Sequence, residues 1–178
     1  IRFDTTPRFV STGSLFLDGT NDYVNINGLT MTTSSASYSF SFWFKSVDGS
    51  SDHRFFDVRN SSSGHRCQLY CDATKIYLNH YDGTSSTHLQ MDVTFVADFE
   101  DGTWHHLAMI VSSGTGAVGY VDGQLLRDSQ TAVNVDLSSA DGAAIGAAFN
   151  GDARIAANLC HFGFWHAALT QAQVRALM

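Results

Sequence analysis

The stretch YSFSFWFKS, residues Tyr38–Ser46, is the clearest strand in the sequence. Aromatic side chains occupy one parity of this stretch: Tyr38, Phe40, Phe42 and Phe44. The other parity carries Ser39, Ser41, Trp43 and Lys45. Successive side chains of a β-strand point to opposite faces of its sheet. The alternation therefore predicts a strand in a sheet that packs one aromatic face into a core.

Shorter alternating runs, separated by turn residues, lie on both sides of this strand. They fall at 14–18, 23–27, 54–59, 66–71, 75–79, 88–95, 104–111, 117–121, 124–127, 143–148 and 159–165. Asp122-Gly123 is a typical two-residue hairpin turn, and Thr170–Met178 has helical spacing with Thr170 and Gln173 placed as in a capping box. Many short strands with little helix predict an all-β fold. We expect a single domain over residues 1–178, an antiparallel two-sheet jelly-roll β-sandwich with one short C-terminal helix.

The charge and hydropathy of the chain exclude several kinds of partner. The formal net charge is −7, and the basic residues do not cluster. Binding to nucleic acid needs a basic patch, so nucleic acid is not an expected partner. No apolar run approaches the length of about 18 residues that a membrane span requires, so we expect no membrane insertion. The chain opens at Ile1 without a leader, and we expect it to be processed or part of a longer protein.

The cysteines are Cys67, Cys71 and Cys160, an odd number that leaves at least one thiol without an internal partner. Cys67 and Cys71 stand about 13 Å apart if their run is extended. A disulfide requires Cα atoms within about 7 Å of each other. We therefore expect Cys67 and Cys71 to be buried and reduced, which favours folding in a reducing compartment.

Four segments, in this order, resemble the laminin-G-like jelly rolls of the concanavalin A-like family. GSLFLDGTNDYVNI (Gly13–Ile26) is similar to the family's opening hairpin, and YSFSFWFKS is similar to its central strand. DGTWHHLAMIV (Asp101–Val111) with GYVDGQLL (Gly119–Leu126) resembles its most recognisable stretch. LCHFGFWHAALTQAQVRAL (Leu159–Leu177) resembles its closing strand, tryptophan and short helix. The resemblance implies a sandwich that binds carbohydrates or proteins.

Many members of this family also carry a structural calcium. At the closing-strand position where calcium-bearing members often have Asp, this sequence has Cys160, and a thiol is a poor calcium ligand. Side-chain oxygens remain near one rim in Asp18, Asn21, Asp22, Asp152 and Asn158. These residue types also serve as ordinary turn residues. We therefore expect no cofactor, and a structural calcium is not favoured.

Motifs for catalysis are weak or incomplete. The glycines of Gly114–Gly119 spell G-x-G-x-x-G, but a hairpin follows rather than the helix that a dinucleotide site needs. Glycosidases on related jelly rolls use paired carboxylates, whereas the chain has one glutamate, Glu100, in a loop. His105 and His106 are adjacent and would point to opposite faces of a strand, so they do not converge on zinc. We expect no catalytic or metal-binding residues and a non-enzymatic binding module.

The strongest indication of a site is one parity of the runs 54–59, 66–71 and 75–79, which is polar and aromatic while the opposite parity is apolar. Aromatic planes suit the CH faces of sugars, and planar polar groups suit their hydroxyls. With Trp43 and the rim loop 79–83, the candidate ligand-binding residues are Trp43, Asp57, Arg59, Gln68, Tyr70, Tyr77, Asn79, His80 and Tyr81. The alternative is an ordinary solvated sheet face.

Two functions fit these observations. One is an extracellular recognition module for a glycan or a surface protein. The other is a decoration or fibre domain at the surface of a phage or virus particle, in contact with neighbouring subunits. Unpaired thiols, the missing leader and an acidic surface poor in lysine favour the second function.

Overall fold

The computed structural model describes residues 13–28, 37–46, 52–61, 65–72, 75–81, 86–91, 99–112, 114–128, 137 and 140–178. The strands in these residues are β1 Leu15–Asp18, β2 Val24–Asn27, β3 Tyr38–Ser46, β4 His53–Arg59, β5 Arg66–Cys71, β6 Ile76–Tyr81, β7 Ser86–Met91, β8 His105–Ser112, β9 Gly116–Val121, β10 Gln124–Asp128, β11 Gly142–Ile145 and β12 Ala156–Trp165. One helix, α1 Gln171–Ala176, follows the last strand. Residues 92–95 of the predicted strand 88–95 lie outside the described residues.

The strands form two six-stranded antiparallel sheets. The first sheet has the order β1-β12-β3-β8-β9-β10, and the second has the order β2-β11-β4-β5-β6-β7. Non-consecutive neighbours in both orders show that the chain crosses between the sheets repeatedly, as a jelly roll does. The predicted all-β sandwich with one short C-terminal helix is confirmed.

The core lies between the two sheets and is rich in aromatic side chains. Phe40, Phe42 and Phe44 of β3 are at most 1% exposed. Phe42 and Phe44 each lie with their ring centroids 5.3 Å from that of Phe55 in the opposite sheet. Burying each such side chain contributes on the order of 1.5–3 kcal/mol to folding. The inward parity predicted from Tyr38–Ser46 is therefore correct.

The helix α1 packs on the outer side of the first sheet. Its N-cap is Thr170, and the capping box with Gln173 is formed in both directions, as predicted. Val174 is fully buried in a small cluster with Ala108 and Ile110 of β8. Among the described residues, no helix has the length and hydropathy needed to cross a membrane.

The two predicted hairpins have different outcomes. The hairpin β9–β10 is confirmed, with Asp122 and Gly123 at φ 50° and 69° in its turn. The opening hairpin is wrong, because β1 pairs with β12 in the first sheet while β2 pairs with β11 in the second. The turn between them is held by the Asp18 carboxylate, which accepts hydrogen bonds from the backbone N–H groups of Thr20 and Asn21. This turn carries the chain from one sheet to the other.

Candidate binding face on the second sheet

Neighbouring strands β4, β5 and β6 bring most of the predicted polar parity onto one surface. Asp57, Gln68 and Asn79 stand directly opposite one another in register, and Tyr70 stands opposite Tyr77. We call this surface the binding face, defined by the outward side chains of Arg54, Asp57, Arg59, Arg66, Gln68, Tyr70, Tyr77, Asn79 and Tyr81. The apolar parity of the same strands faces the core. The binding face consists of three cross-strand rows.

The first row is aromatic. The guanidinium of Arg54 lies 4.3 Å from the ring centroid of Tyr70, and the rings of Tyr70 and Tyr77 stack at 4.8 Å with an interplanar angle of 14°. The Tyr77 hydroxyl donates a hydrogen bond of 2.7 Å to Asp72. This bond to a carboxylate raises the pKa of Tyr77 to about 12. The row is therefore a fixed, uncharged pair of phenol rings with a cation at one end.

The second row is polar and centres on Asp57, whose side chain is fully buried. Its Oδ2 accepts hydrogen bonds from Gln68 Nε2 at 2.9 Å, from the backbone N–H of Phe149 at 2.8 Å and from the Arg59 guanidinium at 2.9 Å. Asn79 Nδ2 donates to Gln68 Oε1 at 3.4 Å. Asp57 Oδ1 and Asn79 Oδ1 are buried and have no hydrogen-bond partner among the described residues. Gln68 and Asn79 are only 6% and 5% exposed, so the second row is a buried hydrogen-bonded layer beneath the more exposed side chains of the face.

The third row contains two arginines that face each other. Arg59 and Arg66 are direct cross-strand partners, and Tyr81 stands opposite Arg66 on the next strand. The Arg59 guanidinium lies 5.0 Å from the ring centroid of Phe149, and the Arg66 guanidinium lies 5.3 Å from that of Tyr81. Each cation is therefore seated against an aromatic ring, a contact that attracts cations through the quadrupole of the ring.

Two features of this face were not predicted. A bulge in β4 at Phe55 turns both Phe55 and Phe56 into the core and moves Arg54 outward, opposite Tyr70. The segment after β11 covers part of the face with Phe149. A Cβ on Gly142 would lie only 2.4 Å from Phe149 Cε2, so this position has no room for a side chain. Periodicity alone does not reveal a bulge or a covering ring, although the FF pair in β4 interrupts its alternation.

Two predicted residues lie elsewhere. Trp43 belongs to the first sheet, where it is 8% exposed and its ring centroid lies 5.3 Å from that of His106. The prediction that Trp43 joins the other residues is wrong, because β3 and β4 are in different sheets. His80 faces the core, opposite Cys67 and 4% exposed, so it is not a rim residue. Tyr81 does lie on the face, and residues 82–83 of the rim loop lie outside the described residues.

The residues considered for calcium take part in local turn contacts. Asp18 caps its own turn, Asp152 accepts from Asn150 Nδ2, and Asn158 Nδ2 donates to Ser14 Oγ. Cys160 lies within the first sheet, opposite Trp43. Within the described ranges, no group of three or more His, Cys, Asp or Glu side chains converges as a metal site requires. Asp18, Asp152 and Asn158 thus each have a local hydrogen-bonding role.

The adjacent histidines have separate structural contacts. His105 Nδ1 lies 2.8 Å from Asp122 Oδ2, at the turn of the β9–β10 hairpin. His106 points to the other face of β8 and packs against Trp43. Burial lowers the pKa of His106 to about 4, so its ring is neutral at physiological pH. The expected division of these two side chains between opposite faces is confirmed.

Fold and face define a concanavalin A-like β-sandwich with a polar and aromatic outer surface on one sheet. The family model described as concanavalin A-like lectin/glucanases superfamily, Laminin_G_3, matches residues 18–175. The chain belongs to this family. No curated protein matches the sequence.

Several solved structures share this fold at low sequence identity. The CBM40 module of the Ruminococcus gnavus IT-sialidase superposes with a TM-score of 0.70 at 11% identity, over 92% of this chain and 95% of that one. A mutant NanB sialidase from Streptococcus pneumoniae superposes with a TM-score of 0.73 at 15% identity, over 92% of this chain and 27% of that one. Domains LG4-5 of the mouse laminin α1 chain superpose with a TM-score of 0.65 at 15% identity, over 92% of this chain and 46% of that one. The chain thus spans nearly the whole CBM40 module but about a quarter of NanB.

Proposed function

We propose that this chain is a non-enzymatic binding module that recognises a glycan through the binding face. The observation that carries the proposal is the stacked, partly exposed pair of Tyr70 and Tyr77, with the planar guanidinium of Arg54 lying 4.3 Å from the ring centroid of Tyr70. A sugar presents apolar CH groups on its ring faces and hydroxyls at its edges. Aromatic planes next to planar donors and acceptors match both features.

The contacts of the face favour binding without large rearrangement. The Tyr77 hydroxyl is fixed by Asp72, and Asp57 is fixed by three donors. Side chains that are already ordered lose little conformational entropy when a ligand arrives.

Relatives with this fold support a role in recognition. One is a carbohydrate-binding module of a sialidase, and a further structure of that module is described as bound to α2,3 sialyllactose, with a TM-score of 0.66 at 11% identity. Another is a pair of laminin domains. By analogy, we propose that the chain meets a glycan or glycoprotein of a cell surface, outside the cell.

The carboxylates of the second sheet support a role without catalysis. Glycoside hydrolysis canonically uses two carboxyl groups about 5–9.5 Å apart. The six strands of the second sheet contain one carboxylate, Asp57, and it already accepts three hydrogen bonds. Glu100, the single glutamate of the chain, is 9% exposed and lies 3.4 Å from Ser46 Oγ of the first sheet. These carboxylates do not form a catalytic pair.

A glycan array followed by calorimetry tests the proposal. The Tyr77→Ala variant should bind the best array ligand at least about fivefold more weakly, the loss of about 1 kcal/mol expected of an aromatic anchor. The matched control is Phe16→Ala, which removes a 64% exposed aromatic ring from the first sheet and should leave affinity unchanged. Equal affinities for both variants and the parent, or no binding to any array glycan, would refute the proposal.

A further inference from the structure

We infer that the binding face selects glycans that carry an anionic substituent, a carboxylate or a sulfate, and holds that group between Arg59 and Arg66. The inference rests on the proposed function and specifies the class of ligand. It concerns the third row of the face, which a neutral sugar would leave unused.

The strands of the second sheet carry more arginines than carboxylates, although the chain as a whole is acidic. Its six strands contain three arginines and one carboxylate, whereas the whole chain has a net charge of −7. Two of the three arginines have acidic partners, because Arg54 is paired with Asp52 and Arg59 with Asp57. Arg66 has no carboxylate partner among the described residues, and its cation–π contact with Tyr81 leaves its charge in place. Among the three arginines of these strands, Arg66 is therefore the one whose charge is not paired within the described residues.

The register places two like charges directly opposite each other. Arg59 pairs with Arg66 across β4 and β5, and opposed side chains of an antiparallel pair have Cβ atoms about 5 Å apart. Like charges in this position repel each other, and in the free protein the Asp57 carboxylate offsets the charge of Arg59 but does not pair with Arg66. An anion between the two guanidinium groups would turn this repulsion into two charge-assisted contacts.

The surroundings order both guanidinium groups for such a contact. Phe149 supports Arg59, and Tyr81 supports Arg66. The Nε atom of each arginine is buried and has no acceptor among the described residues, so a ligand would contact the terminal nitrogens of the two guanidinium groups rather than Nε. Guanidinium groups match the planar, bidentate geometry of carboxylates and related oxyanions. Ordered and incompletely paired donors favour a ligand that brings acceptors.

The spacing of the rows favours an oligosaccharide over a free anion. Along β5, Tyr70, Gln68 and Arg66 point outward at successive alternate positions. Two such steps span about 13 Å along a strand. A ligand that contacts the tyrosine row and the arginine row at once is therefore longer than one sugar ring, with its anionic group at the arginine end.

The test compares Arg66→Gln with Lys45→Gln by calorimetry. Lys45→Gln removes the same charge from an exposed position of the first sheet. The probes are α2,3-sialyllactose, lactose sulfated on its galactose, and lactose, with free sulfate as a competitor. We expect one acidic probe to bind at least about tenfold more tightly than lactose, equivalent to about 1.4 kcal/mol. Arg66→Gln should abolish that difference, and Lys45→Gln should preserve it.

The outcomes separate the inference from the proposed function. The sialylated and sulfated probes tell a carboxylate ligand from a sulfate ligand, and free sulfate that binds as tightly as either would overturn the inference. A different result would overturn the inference and leave the proposed function standing. In that case lactose binds as tightly as the acidic probes, and Tyr77→Ala loses affinity for it whereas Arg66→Gln does not. If the protein binds none of these probes, and no glycan on an array of neutral, sialylated, uronate-containing and sulfated glycans, both the inference and the proposed function are overturned.

Discussion

The hydroxyl of Tyr38 lies 2.8 Å from the sulfur of Cys67, within the core between the two sheets. Both side chains are fully buried, and they come from different sheets. The pair is thus a polar link across the interior, close to the core-facing ring of His80. Cys67 and Cys71 are both buried and free, as expected from their spacing.

The burial of the Cys67 thiol gives a prediction for alkaline pH. Desolvation raises the pKa of Cys67 from its ordinary value of 9.0 to about 12 in the folded protein. Between these values the unfolded chain has lost the thiol proton and the folded chain retains it, so stability should fall as pH rises from about 9 to about 12. Denaturant melts across this range should show a shallower fall for Cys67→Val than for the parent. Parallel curves would contradict the prediction.

The same burial predicts selective thiol labelling. Cys160 is partly exposed, whereas Cys67 and Cys71 are at 0%. A thiol reagent at neutral pH should modify Cys160 first in the folded protein and all three cysteines in denaturant without prior reduction. Mass spectrometry of the labelled peptides measures this order. A Cys67–Cys71 disulfide peptide would show that β5 is not extended.

His106 predicts a loss of stability at acidic pH. Its pKa falls from an ordinary 6.5 to about 4, mainly by burial. As pH falls from 6.5 to about 4, the His106 ring binds a proton in the unfolded chain but stays neutral in the folded chain. The free energy of unfolding therefore decreases by up to about 3 kcal/mol. His106→Phe should remove this part of the pH dependence, while the exposed control His161→Asn should retain it. Chemical denaturation at several pH values measures both.

The contacts of Asp57 predict an order among substitutions. Asp57→Ala removes the acceptor of three hydrogen bonds and leaves Arg59 without its carboxylate, which should destabilise the fold by about 3 kcal/mol. Asp57→Asn keeps one oxygen in place, and its amide nitrogen can occupy the Oδ1 position, which has no donor. Urea melts should therefore show a clearly smaller loss of stability for Asp57→Asn than for Asp57→Ala. Equal losses would mean that the charge alone matters.

Gly142 links packing to binding. A Cβ at Gly142 would overlap the Phe149 ring that supports Arg59, so Gly142→Ala should cost about 1–3 kcal/mol of stability. It should also weaken binding of the acidic probe by disordering the Arg59 guanidinium. Gly13→Ala, where the added atom meets nothing within 4 Å, is the matched control. Thermal melts and calorimetry on both variants check the two effects.

The fold could be predicted because alternation in Tyr38–Ser46 and its neighbours determines which side chains are buried. The sheet to which each strand belongs could not, because pairing between distant strands leaves no local pattern. For this reason the sequence alone predicts Trp43 on a surface that belongs to the other sheet, and predicts β1 and β2 as one hairpin, whereas the structure places them in different sheets. The binding role of the face stays a prediction, as does the choice between a recognition module and a particle component.

The bulge at Phe55 changes which residues of β4 point outward. Downstream of it, odd-numbered residues such as Asp57 and Arg59 point outward; upstream, the even-numbered Arg54 does. One surplus residue thus lets a single strand supply a cation to the tyrosine row and another to the arginine row, with two phenylalanines filling the interior between them. A one-residue deletion here would drive Arg54 toward the core, so in this strand length is as constrained as composition.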